Sequence, residues 1–81
     1  MNILSFKYSN KTIWVRVEDI YIIELHDDGR IGIETKENYF LIDNKYPTLT
    51  SYTMDKVIRY LFDFENTQIM NLNDVITKMK K

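Results

Sequence analysis

Residues 17–35, VEDIYIIELHDDGRIGIET, constrain the fold more than any other stretch of this chain. Two apolar runs, residues 20–25 and 30–35, flank His26-Asp27-Asp28-Gly29, which is the sequence pattern of a β-hairpin. Asp28-Gly29 supplies residues that tolerate positive φ, as the tight primed hairpin turns require. The first run is rich in β-branched and aromatic side chains, as expected of a strand packed on both faces. The second alternates. Ile31 and Ile33 point one way, and Arg30, Gly32 and Glu34 the other.

The flanking chain continues in the same style. Residues 3–8 and 12–17 read as two strands joined by a turn at Ser9-Asn10-Lys11. Ile13, Val15 and Val17 share one face of the second strand; Trp14, on the other, is expected to anchor the core or its rim. Glu18 and Asp19 interrupt the pattern before the central hairpin. After a turn at Lys36-Glu37-Asn38, residues 39–42 form a fifth strand. Asp43 to Pro47 ends it, because proline lacks the ladder donor. From Thr48 to Phe62 the period changes. Leu49, Thr53, Val57 and Leu61 recur every four residues with Met54, Ile58 and Phe62 beside them, an apolar stripe on a helix. Thr50, Ser51 and Thr53 are candidate N-caps, Asp55 suits the first turn, and Lys56 and Arg59 face water. Residues 66–71 return to strand, 72–74 turn, and 75–79 form a last short strand or helical turn. The expectation is a mostly-β (α+β) fold: a five-stranded antiparallel meander, one packed helix, then one or two short C-terminal strands.

Eighty-one residues make a single small domain near the lower size limit for a self-sufficient core. The 44% hydrophobic content is enough to build that core and argues against disorder. With no cysteine, no disulfide or thiolate metal site can staple the fold. The opening MNILSFKYSNK is too short and polar for a signal peptide, and no apolar run approaches membrane-spanning length. A soluble, cytoplasmic protein is therefore expected. Eleven basic and twelve acidic residues leave a net charge of −1, so nucleic-acid binding would have to come from a local patch.

Catalytic chemistry finds little support. Glu24-His26-Asp27-Asp28 is the densest polar group, but alternating strand faces and a single histidine make a poor metal site, and a solvated hairpin tip accounts for it better. No serine lies in a Gly-x-Ser-x-Gly setting, and two glycines cannot build a phosphate loop. No enzyme, cofactor, metal or small-molecule substrate is expected. The basic residues are spread along the chain except for Lys78, Lys80 and Lys81 near its end. Tyr21, Tyr39 and Tyr60 sit in core-like patterns, which removes them as base-stacking candidates.

Two stretches together resemble the LytTR-type DNA-binding domain. VEDIYIIE at 17–24, followed by a tight turn and a strand ending Glu34-Thr35-Lys36, is similar to that family's Asp-Ile pair, apolar run and Glu. LFDFENTQIMNLNDV at 61–75 is similar to its second pattern at Thr67, Ile69, Met70, Asn71, Leu72 and Val75. The resemblance covers most of the chain from Val17 onward. It implies a mostly-β domain that reads DNA through loops, as in bacterial transcription regulators. Where the family has Arg and His, this chain has Asp63 and Glu65, and residues 61–74 carry three acids and no base. Carboxylates near phosphate repel it. The family's final strands, with their basic contact, and a receiver domain are missing from these residues. Two expectations follow. One is DNA contact through His26, Arg30, Asn66 and Gln68, with Lys78, Lys80 and Lys81 on phosphate. The other is a stand-alone interaction module, of the kind a phage or mobile element carries, that binds a protein partner or a second copy of itself.

Overall fold

A computed structural model describes residues 1–63 and 68–80. In order, the elements are β1 (Asn2–Tyr8), β2 (Lys11–Arg16), a 3-10 turn (Val17–Asp19), β3 (Ile20–Leu25), β4 (Arg30–Thr35), β5 (Tyr39–Lys45), α1 (Ser51–Leu61), β6 (Gln68–Asn71) and α2 (Leu72–Met79). The strands form two three-stranded sheets, ordered β2-β1-β6 and β3-β4-β5.

The fold is therefore α+β and mostly β, but the expected five-stranded meander is broken in two. The break falls at the 3-10 turn. Val17 is fully buried there, Glu18 stays in water, and Asp19 is gripped by Arg16 at 2.9 Å. The chain thus leaves the first sheet before β3 begins the second. Core side chains from both sheets and both helices then meet: Leu4, Ile31, Ile33, Ile42, Val57, Leu61, Leu72 and Ile76 are all 2% exposed or less. Phe40 of β5 bridges the sheets, edge-on to Phe6 and Tyr8 at 5.6 and 5.2 Å between ring centroids.

β6 lies parallel to β1, with Asn2 opposite Gln68 and Ser5 opposite Asn71. The Asn2 side chain is fully buried and donates to the carbonyls of Leu61 and Asp63, both at 2.9 Å, tying β1 to the end of α1. The expected C-terminal turn with a further strand or helical turn is instead a helix of two turns, α2. Asn71 caps it by accepting from Asp74 N at 3.3 Å, and Leu72, Val75 and Ile76 bury at helical spacing. Asn73 and Asp74, which read as a turn, are first-turn helix residues; the same side chains favour both settings.

α1 starts at Ser51 rather than Thr48, because Leu49 N donates to Tyr46 O in a tight turn through Pro47. Thr50 is the N-cap, accepting from Thr53 N at 3.2 Å, and Asp55 falls beyond the first turn it was expected to occupy. Phe62 is the C-cap residue rather than part of the buried stripe, and is 38% exposed. Lys56 is half-buried, stacked against the Tyr52 ring at 4.6 Å, whereas Arg59 faces water.

Three exposure patterns also differ from expectation. Trp14 is 63% exposed, because its strand face points away from both helices. Tyr21 and Ile22 are 65% and 46% exposed: β3 is an edge strand with only one packed face, and a bulge between Ile20 and Ile22 leaves Tyr21 unpaired. Tyr39 is 42% exposed and lies outside the core, whereas Tyr60 is half-buried and packs against it. β5 runs three residues past Ile42, since Lys45 still pairs with Arg30 across the ladder. Among the described residues, no helix is long and apolar enough to cross a membrane.

Candidate nucleic-acid interface

Two hairpin turns and the end of β5 converge. At the β1–β2 turn, Ser9 and Asn10 both take positive φ, 50° and 63°, between the paired residues Tyr8 and Lys11. That is the two-residue primed turn, formed without glycine. The β3–β4 turn differs from the expected one. Only Gly29 has positive φ (84°), and Gly29 N donates to His26 O while His26 N donates to Arg30 O. This is a three-residue loop with glycine in the left-handed position. Adding a Cβ there would bring it within 2.6 Å of Tyr46 O, so the loop packs directly on the chain leaving β5. Tyr46 N donates back to Gly29 O at 2.8 Å.

An open groove of about 610 Å³ lies between these features, lined by the Ser9–Asn10 turn, Arg30, Asp43 and Lys45 among others. Asp43, on its wall, and Asp28, paired with Arg30, are both hydrogen-bonded within the protein. Asp43 accepts from Ser9 N at 2.8 Å and Asn10 N at 3.1 Å, which pulls its pKa below the usual carboxylate range. Lys7 adds a smaller pull in the same direction. Asp28 accepts from Arg30 N at 3.1 Å and Arg30 Nε at 2.6 Å, and is likewise lowered, chiefly by the backbone bond. Both residues are exposed and remain charged at neutral pH. Lys45 has no ion-pair partner within 4.0 Å among the described residues.

Beside this groove, on the outer face of the second sheet, Tyr39 lies across β4. Gly32 permits it: a Cβ on Gly32 would collide with the Tyr39 hydroxyl. The hydroxyl donates to Glu24 Oε1 at 2.8 Å, leaving its oxygen to accept from His26 Nε2 at 3.0 Å. The Glu24 carboxylate raises the pKa of the phenol. His26 is thereby held against the sheet, with Glu24 Oε1 also 3.4 Å from its Nε2.

The other sequence-predicted contacts lie elsewhere. Gln68 and Lys78 meet through Tyr60: its hydroxyl donates to Gln68 Oε1 at 3.4 Å and accepts from Lys78 Nζ at 3.5 Å, and Lys78 Nζ lies 4.7 Å from the ring centroid. Lys80 Nζ donates to Thr48 Oγ1 at 2.7 Å, two residues beyond Tyr46. Asn66 and Lys81 lie outside the described residues, as does Glu65. His26 and Arg30 thus flank one turn, and Gln68 and Lys78 form a second cluster. Sequence reasoning missed Ser9, Asn10 and Lys45 in the groove, and Tyr39 beside it. Asp43 and Ser9 are 34 residues apart, so no local pattern joins them. Gly32 facing Glu24 was the one available sign of a large side chain lying over β4.

The class defined by these features is a small α+β domain bearing a loop-lined polar groove. No protein-family profile, no curated protein and no solved structure matches the chain.

Proposed function

We propose that this chain is a non-enzymatic, LytTR-like transcription-regulatory module that contacts DNA through loops. The observation that carries the reading is the groove between the two hairpin turns. Arg30 and Lys45 line it; Arg30 is paired with Asp28 through Nε, Lys45 has no ion-pair partner among the described residues, and the Asp43 carboxylate is bound by the Ser9 and Asn10 N–H groups. Cations at the strand ends beside two hairpin turns are suited to phosphate contact on a protein whose overall charge is near neutral.

Fluorescence anisotropy with a 20-bp duplex at low salt tests this. Binding is expected with a dissociation constant no weaker than roughly 10⁻⁴ M, and the Arg30→Ala/Lys45→Ala variant should reduce the salt slope by about two. Absence of binding to random and promoter duplexes at high protein concentration would end the DNA reading.

A second observation favours the alternative, a protein-interaction module. Trp14 and Ile69 are 63% and 74% exposed on the β2-β1-β6 sheet, and exposed Trp is the side chain most often found as an interface anchor. In that case Trp14→Ala abolishes partner binding and leaves the fold intact.

A further inference from the structure

Among the described residues the two sheets have four edges, and they are not protected equally. An edge strand offers unpaired backbone groups to any other strand, and proteins blunt such edges with charges, bulges or proline. β2 carries Lys11 and Arg16, β3 has a bulge at Tyr21 and the charge of Glu24, and β5 ends in Asp43, Lys45 and then Pro47. Among the described residues, β6 itself carries none of these devices. Its four residues are Gln-Ile-Met-Asn, it is the terminal strand of its sheet, and Ile69 is 74% exposed. A groove of about 210 Å³ is lined by all four of them. Successive strand side chains point to opposite faces, so a space touched by all four runs along the open edge rather than over one face.

We propose that β6 pairs antiparallel with β6 of a second copy of this chain, joining two three-stranded sheets into one of six strands. The inference is independent of DNA binding. Centred on Ile69, such a pair sets Ile69 against Ile69 of the second copy, and Gln68 against Met70. Partners in each pair then share a face, and no like charges are opposed. The outer-face row Arg16, Ile3, Ile69, already aligned across β2, β1 and β6, continues unbroken into the second copy. The far wall of the groove presents Asp74 and Lys78, one helical turn apart on α2. An antiparallel copy presents the same two residues in reverse order, acid toward base. A four-residue edge buries less than a standard interface, so the association is reversible and weak.

The chain has no cysteine, which permits a clean test. Residues directly opposed across an antiparallel pair have Cβ atoms about 4.5–5.5 Å apart, close enough for a disulfide. Ile69→Cys should therefore oxidise to a covalent dimer about tenfold faster than Tyr52→Cys, a similarly exposed position on α1. Sedimentation velocity of the full chain should show a rising weight-average coefficient over roughly 10 µM to 1 mM. Ile69→Lys, which places a charge at a surface position, should abolish that rise while circular dichroism shows an unchanged fold. A monomer at every concentration, or equal oxidation rates for the two cysteine variants, overturns the proposal.

Discussion

The two hairpin turns reach similar tightness by different means. The β3–β4 turn relies on Gly29 in the left-handed region, where the absent Cβ lets Tyr46 and Pro47 pack on it. The β1–β2 turn holds Ser9 and Asn10 at positive φ with side chains present, and a carboxylate from β5 binds both backbone N–H groups. One turn is encoded locally, by a glycine. The other is encoded at long range, by Asp43. Non-glycine residues persist at positive φ only where the surroundings over-determine them, and Asp43 supplies that constraint.

Breaking each turn at its own support should show this. Gly29→Ala has the largest expected effect, because backbone atoms of Tyr46 and Pro47 lie within 2.6–2.9 Å of the new Cβ and cannot swing away. A loss of about 2–4 kcal/mol in urea unfolding is expected, with Gly29→Asn less costly than Gly29→Val. Asp43→Ala should lower the urea midpoint by less, and hydrogen exchange at Ser9 and Asn10 should quicken while the 26–30 turn is unaffected. Replacing Ser9-Asn10 by Asn-Gly should restore most of that loss, adding about 0.5–1 kcal/mol, since this pair favours positive φ without help.

Acid should act on both turns. Asp28 and Asp43 have folded-state pKa values below the ordinary carboxylate value of about 3.9. Their contribution is therefore present above that pH and is lost as pH falls through the lowered folded values. Urea midpoints measured from pH 5 downward should drop below about pH 4. The Asp28→Asn/Asp43→Asn variant should show a shallower decline. The smallest effect is expected from Gly32→Ala. There the obstacle is the tip of the Tyr39 side chain, which can move, so stability changes little while Tyr39 leaves Glu24 and His26. The alkaline rise in tyrosinate absorbance should then shift to lower pH, because the raised phenol loses its cause.

These contrasts mirror what can be read from sequence. The alternation Ile31-Gly32-Ile33 and the strands of the first hairpin were legible because each is carried by neighbouring residues, and the cap of α1 was narrowed to three candidates, of which Thr50 is the one used. The break into two sheets was not. Glu18 and Asp19 marked only an interruption at the 3-10 turn, and no local pattern records that β1 takes β6, a distant parallel strand, as its other partner. α2 was obscured because Asn73 and Asp74 favour turns and first helical turns alike, and only the burial of Leu72, Val75 and Ile76 decides between them. Within the candidate site, His26 and Arg30 could be singled out from the turn they flank. Lys45 and the Ser9–Asn10 turn join them only through Asp43 and the β4–β5 ladder.

An NMR titration of the folded chain with duplex DNA at low salt is the most direct test of the interface. Amide shifts should concentrate at Ser9, Asn10, residues 26–30 and 43–48, weaken steeply with added salt, and vanish in the Arg30→Ala/Lys45→Ala variant. Shifts confined to Trp14, Ile69 and the rest of the β2-β1-β6 sheet, or none at all, would contradict the placement of the DNA-contacting surface between the two turns.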